Sequence, residues 1–190
     1  EFYKQHNSLI KGNVVSLGRL EECKNFQLLI SAFSKICNEF PDDNLLIYGE
    51  GTIRTKLEEQ IKTLSLENRV YLPGRVNDVA EKIRDAKVYV LSSNYEGLPN
   101  GLMEAMALGI PVVSTDCPCG GPDLLLEHGK YGILTHVNNE EELVHALRTL
   151  LRDPLMREQY SSKCKERSRI FELDKVCEDW KRLFDEKLTF

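Results

Sequence analysis

The feature of this sequence that most constrains its fold is the regular alternation of short apolar runs with longer amphipathic stretches. Six runs rich in aliphatic and β-branched residues suit buried strands: 13–18, 44–49, 69–74, 87–93, 110–115 and 131–136. Between them, apolar residues recur at helical spacing, as from Phe26 to Phe33. Strand and helix in strict alternation predict parallel βαβ units with right-handed crossovers.

Strands that are apolar nearly throughout are expected when helices cover both faces of a sheet. We therefore predict an α/β fold, a Rossmann-like doubly wound parallel sheet of about six strands with helices on both faces. Asp153-Pro154 ends one helical stretch, and two more helices are predicted within 155–170 and 173–187. We interpret 1–12 as a linker or a cloning-derived segment, 13–172 as the domain and 173–190 as a separate C-terminal helix.

Charge, hydropathy and cysteine content indicate which partners to expect and in which cellular compartment the protein is found. The chain has 25 basic and 30 acidic residues and no dense basic cluster, so we do not expect a nucleic-acid partner. No apolar run is long enough for a membrane span and no signal peptide is recognisable, which favours a cytoplasmic protein. The six cysteines are scattered and are expected to be reduced thiols. Cys117 and Cys119 form a lone C-x-C, a weak zinc signal that we interpret as a loop, so no metal site is predicted.

Ligands of doubly wound sheets bind at the carboxyl ends of the strands. Function is therefore expected just after Gly18, Gly49, Gly74, Ser93 and Thr115.

The stretch after the fourth strand has the pattern of an anion site. Gly97 and Pro99 predict a turn, and Asn100 is a suitable N-cap for a helix over 101–108. The first-turn amides of that helix would be partly unpaired and open to an anion. Gly97 and Gly101 carry no Cβ, so a ligand could approach their backbone closely. The alternative for "GLPNG" is a plain turn.

Two glutamates flank this turn. The helix around Glu104 is otherwise apolar, so we expect its carboxylate to be buried and to need partners. Interaction with the helix N-terminus is one explanation, with a contribution of about 0.3–1 kcal/mol. Hydrogen bonds from vicinal hydroxyls, such as those of a ribose, are the other. Glu96 would then face a more distal part of the ligand, and phosphate between two acids predicts a nucleotide sugar.

The stretch "EGLPNGLMEAMALGIPVVSTD" resembles the E-x7-E signature of the retaining glycosyltransferases of family 4, the large group 1 family with the GT-B fold. Glu96 and Glu104 are eight positions apart, as the signature requires. "VVSLGRLEECKNFQLLISAF" is similar to the family's first strand and loop, where Arg19 and Lys24 occupy the places that hold the donor diphosphate. With "LLIYGEG", "VYLPGRV" and "GGPDLLLEHGKYGILT", the resemblance covers 13–151.

The resemblance implies a role for each matched residue. Glu96 would bind hydroxyls of the donor sugar, and Arg19 and Lys24 would offset the charge that develops on the diphosphate leaving group, so these three are the catalytic candidates. Glu104 would bind the ribose hydroxyls. The other implied donor-binding residues are Gly18, Gly97, Leu98, Asn100, Gly101 and Leu102, with Arg75 and Val76 against the base. No metal or cofactor is expected beyond the substrate, a nucleotide sugar with UDP as the expected nucleotide; GDP and ADP stay open.

GT-B enzymes enclose the donor between two Rossmann-like halves, and this chain resembles the C-terminal, donor-binding half. The resemblance implies a hexosyltransferase of polysaccharide biosynthesis whose glycan or lipid-linked acceptor is held by the other half. The full-length protein would associate peripherally with the inner face of a membrane. Without the other half to close the site we expect donor binding but little or no transfer. Two alternatives remain: a standalone nucleotide-sugar-binding module with a separate acceptor subunit, and a GT-B nucleotide-sugar epimerase, which the paired motifs disfavour.

Overall fold

The computed structural model describes residues 12–187, which form a six-stranded, all-parallel sheet with helices between the strands. The strands are β1 (Gly12–Leu17), β2 (Asn44–Tyr48), β3 (Val70–Gly74), β4 (Val88–Leu91), β5 (Val112–Asp116) and β6 (Ile133–His136). The α-helices are α1 (Phe26–Ser34), α2 (Arg54–Thr63), α3 (Val79–Ile83), α4 (Asn100–Ala107), α5 (Gly121–Leu126), α6 (Glu140–Arg152), α7 (Pro154–Ser168) and α8 (Leu173–Lys187). Short 3-10 helices span Glu22–Lys24 and Arg169–Phe171. The predicted fold class and all six predicted strands are confirmed.

The strand order β3-β2-β1-β4-β5-β6 places the reversal of direction between β1 and β4. Val14 lies opposite Val88 and Val15 opposite Tyr89 in this central pair. A crevice opens at the carboxyl ends of the two strands where the order reverses, because their following helices leave on opposite faces of the sheet. The loops after β1 and β4, which carry the predicted residues, therefore meet at this crevice.

Successive residues of a strand pack into two separate hydrophobic cores, one on each face of the sheet. Val14 belongs to the core beneath α1, α2 and α6, whereas Val15 belongs to the core beneath α3, α4, α5 and α7. Val112 and Val113 divide in the same way. Since side chains of a strand point alternately to its two faces, a strand covered on both faces must be apolar at every position. The predicted double winding is confirmed.

Asp153 separates α6 from α7 as predicted. Its side chain accepts hydrogen bonds from the amides of Leu155 and Met156, at 2.9 and 3.0 Å, and Pro154 follows at the first helical position. Both residues are typical of a helix start.

The last helix, α8, packs mainly on the 3-10 helix Arg169–Phe171. Trp180 and Phe184 stack on each other with ring centroids 5.8 Å apart, and each is 56% exposed, whereas Val176 is half-buried. The crossing of this helix to another domain stays a prediction. The segments 1–11 and 188–190, including most of the predicted linker, lie outside the described residues.

Candidate functional site

A cleft of about 420 Å³ opens at the carboxyl ends of β1, β2 and β3. Four of the predicted residues line it: Gly18, Arg19, Arg75 and Val76. The remaining lining residues are Leu17, Tyr48, Gly49, Glu50 and Val79. The cleft thus combines apolar walls with two arginines and one carboxylate.

Glu50 is a cleft residue that we did not predict. Its Oε1 pairs with Arg54 Nη1 at 3.0 Å, and Arg54 Nη2 donates to the carbonyl of Leu72 at 2.8 Å. The carboxylate is therefore anchored to the edge of β3. The signal was its position, because Glu50 directly follows Gly49 at one of the strand ends where function was expected.

Gly49 lets the loops after β1 and β2 approach each other. Its φ is +149°, and a Cβ there would lie 1.8 Å from the carbonyl oxygen of Gly18. The Gly18 amide donates to the Tyr48 carbonyl at 3.0 Å, and the Gly49 amide donates to the Gly74 carbonyl at 2.9 Å. Any other residue at 49 would separate the walls of the cleft.

Lys24 and Glu96 form an ion pair beside this cleft. Lys24 Nζ lies 2.5 Å from Glu96 Oε1, and the two side chains are only 20% and 10% exposed. Ser93 Oγ donates to the same Oε1 at 2.6 Å. The structure therefore brings together two of the three catalytic candidates. Arg19, the third, is exposed on the loop after β1.

Three hydrogen bonds join the two loops that carry this pair, and a fourth joins them to the loop after β6. Ser92 Oγ donates to the Lys24 carbonyl at 2.9 Å, and the Asn94 amide donates to the Cys23 carbonyl at 2.8 Å. Asn25 Nδ2 donates to the side-chain oxygens of Asn94, at 3.0 Å, and of Asn138, at 2.8 Å. The second of these bonds ties the loop after β6 to the other two.

Helix α4 begins differently from the prediction. Pro99, not Asn100, is the N-cap, and Asn100 makes no side-chain capping bond. The Pro99 carbonyl accepts from the amides of Leu102, at 3.0 Å, and Met103, at 3.2 Å. The expectation that these two amides are unpaired was wrong, because the extended backbone of Pro99 directs its carbonyl along the helix. An added anion would use the amides of Asn100 and Gly101.

The expectation that Glu104 is buried was also wrong. Helix α4 turns Leu102, Ala105 and Met106 into the core, and this leaves Glu104 on the exposed side. The helix is covered on one side only, so an apolar sequence did not imply burial all round. The carboxylate is free to meet a ligand without first losing a protein partner.

The two glycines of the turn differ in what surrounds them. A Cβ on Gly97 would meet nothing within 4 Å, whereas a Cβ on Gly101 would lie 2.6 Å from Tyr89 Oη and 3.4 Å from Leu17 Cβ. Gly97 therefore leaves open space, as expected for close ligand approach. Gly101 instead lets the helix start pack onto β1 and β4, next to a lining residue of the cleft. Leu98 is exposed on the same turn.

Tyr89 lies beneath this region and is fully buried. Burial raises the pKa of its hydroxyl, and the carboxylates of Glu96 and Glu104 raise it further. Both acids of the motif therefore lie near enough to one buried phenol to raise its pKa.

Residues 12–187 contain no cluster of three or more His, Cys, Asp or Glu side chains arranged to hold a metal ion. All six cysteines are free, and the expectation of reduced thiols stays a prediction. Burial raises the pKa of the Cys117 thiol to about 11, so it is protonated at neutral pH, while Cys119 is exposed. Within the same range, no helix has the length and apolar character needed to cross a bilayer.

A six-stranded parallel sheet with this strand order and a site at its switch point define a Rossmann-like domain of the kind found in GT-B glycosyltransferases. The chain belongs to the glycosyl transferases group 1 family, which it matches over residues 4–167.

Three similar proteins illustrate the relationship. An uncharacterized glycosyltransferase of Methanocaldococcus jannaschii is 32% identical over 96% of this chain and 52% of its own length. The Campylobacter jejuni N-acetylgalactosamine-N,N'-diacetylbacillosaminyl-diphospho-undecaprenol 4-alpha-N-acetylgalactosaminyltransferase is 33% identical over 87% of this chain and 44% of its own. The crystal structure of HepE from Anabaena in complex with UDP has a TM-score of 0.85 at 25% identity, covering 97% of this chain and 52% of that one. This chain spans about half the length of the curated relatives it matches.

Proposed function

We propose that this chain is the donor-binding half of a retaining glycosyltransferase that transfers a sugar from a nucleotide sugar to a glycan or lipid-linked acceptor. The observation that carries the proposal is the convergence of Arg19, the Lys24–Glu96 pair and the start of α4 at one switch point. These groups come from loops after two adjacent strands, and together they offer cations for a diphosphate and acids for hydroxyls.

The nucleoside fits the cleft after β1, β2 and β3. Its apolar wall, including Val76 and Val79, can pack on a base, and the backbone near Arg75 supplies polar contacts. The ribose then lies toward Glu104, whose exposed carboxylate can accept hydrogen bonds from both vicinal hydroxyls. UDP is the nucleotide we expect, because HepE, which shares this fold, was crystallised with UDP.

The diphosphate lies between Arg19 and the first amides of α4. Arg19 offers a planar fork of donors and Lys24 a compact positive charge, and both can stabilise the negative charge that grows as the sugar–phosphate bond breaks. The free amides at Asn100 and Gly101 add the positive end of the helix dipole. With these groups we propose a reaction that needs no divalent metal.

The donor sugar faces Gly97 and Glu96. Open space at Gly97 allows a hydroxyl close to the backbone, and Glu96 can accept from a hydroxyl through its second oxygen. Retention of configuration at the anomeric carbon is part of the proposal and follows from the family resemblance.

The acceptor belongs to a second, N-terminal half of the whole protein. Relatives about twice as long as this chain support this, and the name of the C. jejuni relative includes a diphospho-undecaprenol acceptor. We propose that α8 crosses to that half, which would cover its exposed Trp180 and Phe184. A cytoplasmic location, at the inner face of a membrane, is consistent with a lipid-linked acceptor. This chain alone should bind donor and transfer little or none.

Calorimetric titration of this chain with UDP, GDP, ADP, UDP-glucose and UDP-N-acetylglucosamine tests the proposal. Arg19→Ala and Glu104→Ala should each weaken nucleotide binding about tenfold or more, since each removes a charge-assisted contact. Exposed residues elsewhere provide matched controls, Arg182→Ala on α8 and Glu67→Ala in the loop before β3.

Addition of EDTA should leave the affinity unchanged if no metal is needed. A folded chain that binds none of these nucleotides, or variants that bind as well as the unaltered chain, would contradict the proposed function.

A further inference from the structure

Glu96 Oε1 already accepts two hydrogen bonds within the protein. Lys24 Nζ donates to it from one side, at 2.5 Å, and Ser93 Oγ donates from the other, at 2.6 Å. Both bonds go to the same oxygen, so Oε2 is the acceptor left for a ligand. The two donors thus decide which way the carboxylate presents its free oxygen.

The backbone of Ser93 is fixed by hydrogen bonds from β5 and from the residue that follows this strand. The residue is fully buried, and its carbonyl accepts from Thr115 Oγ1, at 2.5 Å, and from Cys117 Sγ, at 3.2 Å. Thr115 is buried as well and belongs to β5, and Cys117 directly follows that strand. A hydroxyl on so constrained a backbone can fix the orientation of a neighbouring side chain.

We propose that Ser93 is a positioning residue for the donor sugar, acting through Glu96. Lys24 alone could hold the carboxylate in several orientations, because an ammonium group on a flexible stem has no fixed direction. The Ser93 hydroxyl restricts these orientations by fixing Oε1, so that Oε2 is the oxygen left to accept from a hydroxyl of the sugar. This inference rests on the proposed function of the chain.

The role of Ser93 differs from that of a ligand contact, and the difference can be measured. Ser93 lies beneath Glu96 and is fully buried, so its loss should leave the nucleoside and diphosphate contacts intact. Ser93→Ala should therefore bind UDP within about twofold of the unaltered chain, while its affinity for a UDP-sugar falls about three- to tenfold, as expected for one lost hydrogen bond.

The experiment is calorimetric titration of the 190-residue chain with UDP, UDP-glucose, UDP-galactose and UDP-N-acetylglucosamine. The quantity compared is the ratio of the UDP dissociation constant to that of the UDP-sugar that binds most tightly. Ser16→Ala is the matched control: it also deletes a fully buried serine hydroxyl, one that donates to the Val90 carbonyl at 2.6 Å within the sheet. Its ratio should not change.

A double-mutant cycle with Glu96→Gln separates positioning from general disruption. If Ser93 acts through Glu96, then Ser93→Ala should lower the ratio no further in the Glu96→Gln background. An unchanged ratio in Ser93→Ala, an equal loss of UDP affinity, or losses that simply add would each overturn the inference. Failure of the unaltered chain to bind any of these nucleotides would instead overturn the proposed function, and the inference with it.

Discussion

Burying the charges of the Lys24–Glu96 pair costs desolvation free energy, which the surrounding contacts must offset. The two charges lie 72 positions apart in the chain and are largely removed from water. Desolvating two charges costs several kcal/mol, which close geometry and added hydrogen bonds must offset. Ser93 provides such a bond, and the loop contacts through Ser92 and Asn94 fix the backbone beneath.

A double-mutant cycle on the unfolding free energy should detect this coupling. Denaturation in urea of the unaltered chain, Lys24→Met, Glu96→Gln and the double variant should give a coupling of about 1–3 kcal/mol, because each single change leaves the other charge poorly solvated. Lys175 and Asp179 on α8 are a control pair at 3.1 Å with 47% and 44% exposure. Water screens that pair, so its coupling should stay below about 0.5 kcal/mol. Similar couplings for both pairs would show that burial adds nothing at Lys24–Glu96.

For single residues, the sequence predicts which positions lie at the candidate site better than it predicts their burial and hydrogen bonds. The spacing of Glu96 and Glu104 and the loop after Gly18 identified most of the residues now found around the crevice. Burial of Glu104 could not be predicted, because it depends on which side of α4 the rest of the chain covers. The hydroxyl of Ser93 was not singled out, since only the folded loop directs it at Glu96.

At the scale of elements, the turn before α4 packs closely against the start of α5, and each segment has a glycine at the contact. A Cβ on Gly121 would lie 1.7 Å from the carbonyl oxygen of Gly97, a backbone atom that cannot rotate away. The direct approach of the two segments therefore requires glycine at 121. Gly97 makes no such demand, since the space around its Cα is open.

Alanine should destabilise the fold at Gly121 but not at Gly97. Gly121→Ala should lower the unfolding free energy by about 1–3 kcal/mol, because both segments must shift. Gly97→Ala should change it by less than about 0.5 kcal/mol and still weaken UDP-sugar binding, because the methyl group occupies the space we assign to the sugar. Thermal unfolding and calorimetry distinguish the two effects. Full UDP-sugar affinity in Gly97→Ala would mean that the sugar lies elsewhere.

The elements themselves were predictable where apolar pattern alone determines them. All six strands follow from runs that must be buried on both faces, and the α6–α7 break follows from Asp153 and Pro154. The start of α4 was not predictable in the same way. Asn100 has the better capping side chain, but the backbone of Pro99 takes the N-cap position.

At the scale of the whole molecule, α8 is the element least integrated into the domain. Leu173, Trp180, Leu183 and Phe184 are exposed along it, and its charged residues carry both signs, which does not favour an anionic membrane surface. Its sequence predicted an amphipathic helix correctly, whereas the helical pattern alone does not identify the surface that the apolar side of the helix covers. Under the proposed function that surface is the N-terminal half.

Ending the chain at Glu172 should therefore cost the domain little stability. The thermal midpoint should change by less than about 5 °C, because both cores lie outside α8. The truncated chain should also self-associate less, since four exposed apolar side chains are removed. Differential scanning calorimetry and sedimentation velocity measure the two effects.

Trp180→Lys combined with Phe184→Lys in the intact chain is the matched control for the truncation. It keeps the helix and its contact with the 3-10 helix Arg169–Phe171 but removes the stacked aromatic pair. If the apolar side of α8 is a docking surface, this variant should self-associate as little as the truncated chain and unfold at the same temperature as the unaltered one. In the full-length protein the same two changes should lower the thermal midpoint, because there the charges would face the other half. A large loss of stability in the isolated chain would mean instead that α8 is part of this domain's own core, and the boundary at residue 172 would be wrong.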